Sequence, residues 1–317
     1  MSTTISIIMP VYNAEHHLAK ALKSALGQTL HGVEMICVDD GSTDGSYSIL
    51  AHYEEIDSRV RVIRQKNCGA GSARNRGVLE ASGEYVAFLD ADDYYPSEDC
   101  LEILYDLAKT HGTNAAGGSL VFLHKGKPRP AKNNHEDYTF AKETVLHFVD
   151  FQQAYYYQRF IFSRSMLLES KIQFPDYRRF QDVVFFVNAL LTAQTFVVTP
   201  KPVYVYRMST KYASLSEAQI NDMLQGYIDT LKIAGDNKLI DLFSFLSNRI
   251  CGPNRIQKRV LESIRSGNRI TQERYNEICD LVGYDFNALM TDEEQSSGKL
   301  RVTLQRWRKK MKKDAFK

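Results

Sequence analysis

Asp90, Asp92 and Asp93 follow directly on the apolar run Val86-Ala87-Phe88-Leu89. Carboxylates crowded at the mouth of a buried strand repel one another unless a cation joins them. Mn²⁺ or Mg²⁺ relieves that repulsion, because a hard ion takes one or two carboxylates and completes its shell with water and phosphate oxygens. Asp is also common wherever a strand ends, so solvated turn residues are the alternative for so short a pattern. A second acidic pair, Asp39 and Asp40, opens into Gly41-Ser42-Thr43-Asp44-Gly45-Ser46. This turn leads into a helix whose first amides carry partial positive charge. Carboxylates there can accept from a pyrimidine imide or a ribose hydroxyl. We read residues 42–46 mainly as capping and the Asp pair mainly as functional. Residues 67–77, NCGAGSARNRG, form a glycine-rich loop with Arg74 and Arg76 one turn inside the helix it opens. Such a loop serves phosphate contact or close packing equally well.

Alternating strands and helices must carry these clusters. Residues 5–9 are a β-branched apolar run, followed by Pro10-Val11-Tyr12-Asn13. Asn13 is a candidate N-cap for the helix marked by Leu18, Ala21, Leu22, Ala25 and Leu26. Strand signals recur at 34–38, 60–63 and 85–89, with helical spacing at Ile49, Leu50, Tyr53 and Ile56 and again over 72–81. The alternation predicts an α/β fold whose parallel sheet is covered by helices on both faces. Ligands of such sheets bind beyond the carboxyl ends of the strands, so the clusters after the first, second and fourth strands should meet along one edge.

After about residue 96 the rhythm loosens. A helix is expected over 98–110 and a glycine-rich strand over 117–123, followed by a Lys/Pro/Asn-rich loop. Residues 155–206 mix strand and helix, including the apolar run 183–191, and 214–290 read as helices alone. The overall balance, 44% hydrophobic and 25% charged, is that of a soluble globular chain. The N-terminus lacks the basic and long apolar regions of a signal peptide, and no run approaches the roughly 20 apolar residues of a membrane span. Cys37, Cys68, Cys100, Cys251 and Cys279 are odd in number and scattered, which suggests a reducing cytoplasm rather than disulfides or a zinc site.

Four ordered motifs resemble family 2 glycosyltransferases of the A-type (GT-A) fold. They are SIIMPVYN at 6–13, VDDGSTDGS at 38–46, NCGAGSARNRG at 67–77 and GEYVAFLDADD at 83–93. More loosely, FPDYRRFQDVVFF at 174–186 is similar to the family's acceptor-side segment, and KPVYVYR at 201–207 to the strand after it. The resemblance implies a nucleotide-sugar donor, UDP-linked by expectation, and a glycan or lipid-linked acceptor of surface polysaccharide synthesis. Tyr12 and Asp40 would hold the nucleobase, with Arg74 near base or phosphate. Asp90 would lie near the ribose, Asp92 would bind the metal, and Asp182 would be the general base. Pro10, Asn13, Asp39, Asn67, Gly69 and Ala91 complete the expected donor site, and Arg207 is a candidate phosphate contact. The sequence departs from the family at Gln181, where Glu often precedes the base. Tyr155-Tyr156-Tyr157 reads as core rather than a sugar-stacking platform.

The resemblance also divides the chain. A catalytic domain is expected over 1–212, with a nucleotide-sugar half (1–110) and an acceptor half (111–212). A helical region follows over 213–298, and a basic tail over 299–317. That tail holds nine Lys/Arg against one Asp, leaving the remaining body near −6 of a total of +2. Leu300, Leu304, Trp307 and Met311 recur in it at helical spacing, suiting an anionic membrane surface; a solvated, frayed terminus is the alternative. A peripheral location on the inner face of the cell membrane would follow. The acidic body argues against nucleic acid, and a homodimer is compatible with the sequence. Processive family members carry Q-x-x-R-W, whereas only Gln305-Arg306-Trp307 stands here, which favours single-sugar transfer. Two rivals are a non-catalytic nucleotide-sugar-binding protein and a sugar-nucleotide pyrophosphorylase. The latter needs a glycine-rich loop after the first strand, where Pro10-Val11-Tyr12-Asn13 stands instead.

Overall fold

The computed structural model describes residues 3–131, 138–208 and 215–283. The basic tail at 299–317 lies outside them. The described residues form two compact units: one comprises 3–131, 138–151, 155–176 and 188–208, the other 152–154, 177–187 and 215–283.

The first unit begins as the sequence predicts, with β1 (Ile5–Val11), α1 (Glu15–Leu26), β2 (Val33–Asp39), α2 (Ser46–Ile56), β3 (Val60–Arg64), α3 (Ala70–Glu80) and β4 (Tyr85–Phe88). These strands pair in parallel in the order β3-β2-β1-β4. All seven residues of β1 are buried, as expected of a central strand covered on both faces. α1 buries Leu18, Ala21, Leu22 and Ala25, the stripe that its spacing marked.

Beyond β4 the sheet is mixed. After α4 (Cys100–His111) come β5 (Ala115–His124), β6 (Lys127–Pro130), β7 (Thr144–His147), the short α5 (Phe148–Phe151), β8 (Phe160–Ser163) and α6 (Arg164–Glu169). α7 (Gln181–Ala193) and the long β9 (Thr195–Arg207) follow. The nine-stranded order continues β4-β8-β5-β9-β7, with β6 beside β5. β8 is antiparallel to both β4 and β5, while β5 and β9 are parallel. A strand buried on both faces reads as apolar in either direction, so composition does not reveal β8's orientation. β6 lay in the expected loop; its Pro128 and Pro130 are tolerable because it pairs only with β5, at an edge.

The second unit is helical, with α8 (Glu217–Asp236), α9 (Ile240–Cys251), α10 (Arg255–Arg265) and α11 (Arg269–Val282). α8 starts with a full capping box, in which Ser216 Oγ accepts from Gln219 N and the Gln219 side chain accepts from Ser216 N. Tyr227, Leu231, Leu246, Val260 and Tyr275 are among its buried residues. Among the described residues no helix is long and apolar enough to cross a membrane.

Candidate active site

A cleft of about 550 Å³ opens where β1, β2, β4 and β9 end. Pro10, Tyr12, Asn13, Asp40, Arg74, Asp90, Ala91, Asp92 and Arg207 all line it, together with His16, His17 and Met208. Three loops far apart in sequence therefore converge, as the strand-end rule requires.

The first two loops hold one another in place. Asn13 adopts a positive φ of 49°, a conformation that Asn tolerates better than most residues. It is not the N-cap of α1, a position occupied by Ala14 without a side-chain cap. Instead its Oδ1 accepts from Thr43 N at 2.8 Å, and Ser46 Oγ accepts from Ala14 N at 2.8 Å. Asp44 accepts from Glu15 N at 3.2 Å while Glu15 accepts from Gly45 N at 2.7 Å. The starts of α1 and α2 thus cap each other across a sequence gap of about thirty residues. The Ser42–Ser46 capping reading is correct in kind, but its main beneficiary is the neighbouring helix.

The Asp39–Asp40 pair divides its work. Asp39 is fully buried and does not line the cleft: Oδ1 accepts from Ser42 N at 3.1 Å and Oδ2 from Arg64 Nε at 3.0 Å. Asp40 does reach the cleft, and its carboxylate also grips the glycine-rich loop, accepting from Cys68 N, Gly69 N and Gln65 Nε2, each at 2.8 Å. Asn67 and Gly69 are outside the lining residues. Gly69 has φ 91°, a turn open to glycine at no steric cost, and α3 starts immediately after it. One turn on, Arg74 enters the cleft with its guanidinium 5.4 Å from the Phe174 ring centre and 5.6 Å from that of Tyr157.

The third loop is a carboxylate cluster with three different environments. Asp90 accepts from Arg74 Nη2 at 2.6 Å and from Gln158 Nε2 at 2.9 Å. Asp93 accepts from Arg207 N at 2.7 Å and from the Tyr204 hydroxyl at 2.9 Å, and that hydroxyl accepts from Asp90 N at 3.1 Å. Burial, then the charges of Asp90 and Asp92, push the Asp93 carboxyl well above the ordinary range. Asp92 is raised too, by burial and then by Asp90, with Arg207 and His17 opposing. Burial and Arg207 lower the His17 imidazole, favouring its neutral form. Arg207 Nε donates to the Asp92 carbonyl at 2.9 Å, tying the end of β9 to this loop.

This donor set can be tested against the expected cation. Among the described residues no group of three or more His, Cys, Asp or Glu is arranged to hold a metal. Among the described residues no other donates a hydrogen bond to the Asp92 carboxylate, in contrast to Asp90 and Asp93. The residues fit a cation held by one protein carboxylate and completed by phosphate oxygens and water, and they do not form a preformed cage.

Asp182 lies in the first turn of α7, within the helical unit. Residues 155–157 are packed against the core: Tyr157 is buried, and Tyr156 meets Tyr138 edge-on at 4.6 Å. Sequence reasoning missed Gln158, Tyr204, Asp93's anchoring role and His17. Only Tyr204 had a signal, as a polar tip one strand period from Tyr206 in KPVYVYR.

The mixed sheet, with a carboxylate cluster at its strand ends and Arg74 and Arg207 beside it, is of the GT-A type. Residues 6–170 match the family described as glycosyl transferase family 2, and the chain belongs to that family. It is 33% identical over 223 residues to a poly(ribitol-phosphate) beta-glucosyltransferase of Bacillus spizizenii, covering 68% of this chain and 34% of that one. The chain thus spans about a third of that relative's length. Among solved structures it is similar to S. aureus TarS 1-349 in complex with UDP-GlcNAc, with 19% identity and a TM-score of 0.70 over 96% of this chain and 90% of the other. A mannosyltransferase of Pyrobaculum calidifontis, in complex with GDP-Man and Mn²⁺, has a TM-score of 0.55 at 14% identity over 97% of this chain and 87% of that one.

Proposed function

We propose that this chain is an inverting, metal-dependent glycosyltransferase that moves one sugar from a UDP-sugar to a hydroxyl of a glycan or lipid-linked acceptor in surface polysaccharide or lipopolysaccharide synthesis. The observation that carries the reading is Asp92, a largely buried carboxylate in a cleft that it shares with Arg74 and Arg207. Tyr12, 52% exposed at the cleft, offers a ring face to the base. Arg74 is anchored by Asp90, which keeps its charge in place for base or phosphate, and Arg207 supplies the second cation. When bound to Asp92, Mn²⁺ or Mg²⁺ neutralises charge on the donor diphosphate.

The acceptor oxygen attacks the anomeric carbon, the bond to the diphosphate oxygen breaks, and Asp182 takes the hydroxyl proton. One direct displacement inverts the anomeric configuration. The UDP preference draws on the motif resemblance and on the UDP-GlcNAc complex of the similar fold. An acceptor of the cell surface draws on the named activity of the relative. Peripheral attachment to an anionic membrane, through the tail at 299–317, completes the reading.

Calorimetry of UDP binding with Mn²⁺ and again with EDTA tests it. Uptake strengthened by Mn²⁺ is expected, and equal affinity in both buffers would refute the metal-bridged site.

A further inference from the structure

Phe180 adopts φ 70°, a left-handed conformation uncommon for a bulky residue. Such strain persists only where its surroundings enforce it. Here the surroundings are one face of α8. The Phe180 ring lies against Tyr227 with centroids 4.1 Å apart. A Cβ added at Gly226 would come within 2.8 Å of Phe180 Cβ and 2.9 Å of Cδ1, so only glycine leaves the notch that Phe180 fills. Two flanking contacts extend the seam: Arg178 N donates to Asp222 Oδ2 at 3.0 Å, and the Tyr177 hydroxyl donates to Asp229 Oδ2 at 2.6 Å. Asp229 is in turn steadied by Gln225 Nε2, which donates to Oδ1 at 3.0 Å. Asp222, Gly226 and Asp229 stand at i, i+4 and i+7, a single stripe of α8.

The docked segment runs directly into α7, whose second residue is Asp182. We infer that the Asp222–Gly226–Asp229 stripe of α8, gripping residues 177–180 through the Phe180 notch, is the device that positions Asp182 for proton abstraction. Gly226, Phe180 and Tyr177 are on this view positioning residues. The inference rests on the reading of Asp182 as the base. It goes beyond that reading by giving the helical unit a part in the chemistry, through the backbone that sets where the carboxylate sits.

The test uses the full chain, with Mn²⁺, UDP-GlcNAc as the probe donor and water as the acceptor whose proton Asp182 takes, reading UDP release at saturating donor and UDP affinity by calorimetry. Gly226→Ala is expected to cut the saturated rate about tenfold or more, the scale of an ångström-sized misplacement, with UDP affinity within about twofold of wild type. Phe180→Gly keeps a residue suited to the positive φ but removes the ring that fills the notch, and is expected to lower the saturated rate about threefold or more at unchanged UDP affinity. Helical content and melting temperature by circular dichroism, unchanged from wild type, show that the helical unit is intact, so a rate loss beside them is not loss of fold. Should Gly226→Ala fail to fold, Tyr177→Phe serves instead and is expected to lower the rate about threefold at unchanged UDP affinity. An inactive Asp182→Asn beside a folded Gly226→Ala or Tyr177→Phe of wild-type rate would overturn the positioning role alone. An Asp182→Asn of wild-type rate would remove the base reading, and this inference with it.

Discussion

Three neighbouring aspartates in one loop have three different jobs because their partners differ. Asp90 is saturated by Arg74 and Gln158, and Asp93 by Arg207 N and Tyr204, which leaves Asp92 as the carboxylate available to a cation. Asp92→Asn should therefore weaken Mn²⁺-assisted UDP binding by at least about tenfold, or about 1.4 kcal/mol, while leaving metal-free binding nearly unchanged. Isothermal titration with and without Mn²⁺ checks both halves. Asp93 makes a pH prediction. Its carboxyl is raised in the fold, so the stability that comes with its proton is full below the unfolded pKa and is lost as pH rises through the folded one. Asp93→Asn cannot titrate. The melting temperature of the Asn variant minus that of wild type should therefore fall as metal-free buffer is taken from pH 7 towards about pH 4. A difference that stays flat across this range would mean that Asp93 titrates as an ordinary carboxylate.

At the scale of elements, the cleft depends on how closely helices approach the sheet. α3 brings Arg74 to the cleft by packing Gly77 against β1, where an added Cβ would lie 2.3 Å from Ile8 Cγ2. Gly77→Ala should destabilise the chain by roughly 1–3 kcal/mol through overpacking, and shifting α3 should also weaken UDP binding. Ile8→Ala removes Cγ1 and Cγ2, the atoms that the new methyl meets, so it should cost less in the Gly77→Ala chain than in wild type, a coupling that paired denaturant melts would measure. The crossed caps of α1 and α2 are a second element-scale device. Asp44 serves both Glu15 N and Ser46 N, and its carboxyl is lowered by the Ser46 hydroxyl and these amides despite the opposing effect of burial. Asp44→Ala should cost about 1–2 kcal/mol, measured as a lower denaturation midpoint at unchanged slope.

At the scale of the molecule, the donor cleft belongs to the sheet unit and Asp182 to the helical one. If Asp182 is the base, as proposed, Asp182→Asn should abolish turnover while UDP binding in the sheet unit stays near wild type. The basic tail makes a separate prediction. Liposomes rich in anionic lipid should co-sediment the full chain and release a chain ending at Ser297, with the difference shrinking as salt rises. Equal binding by both chains would leave the tail without a membrane role.

The sequence by itself determined which residues stand at the strand ends. A strand buried on both faces is mostly apolar, so the polar runs that follow β1, β2 and β4 are legible as strand ends without any coordinates. Nine of the twelve residues expected at the donor and metal site, from Pro10 to Arg207, do line one cleft. Only the tertiary structure decided how they are partnered. Asp39 was turned into an ion pair with Arg64, and Asp90 was bound by Gln158, 68 residues away in the chain. Asn13 served the second loop and not its own helix. Local spacing fixes which face a side chain takes on its own element, whereas hydrogen-bond partners are set by which elements become neighbours. That follows from strand order and direction, as in the antiparallel β8, and an apolar run encodes neither.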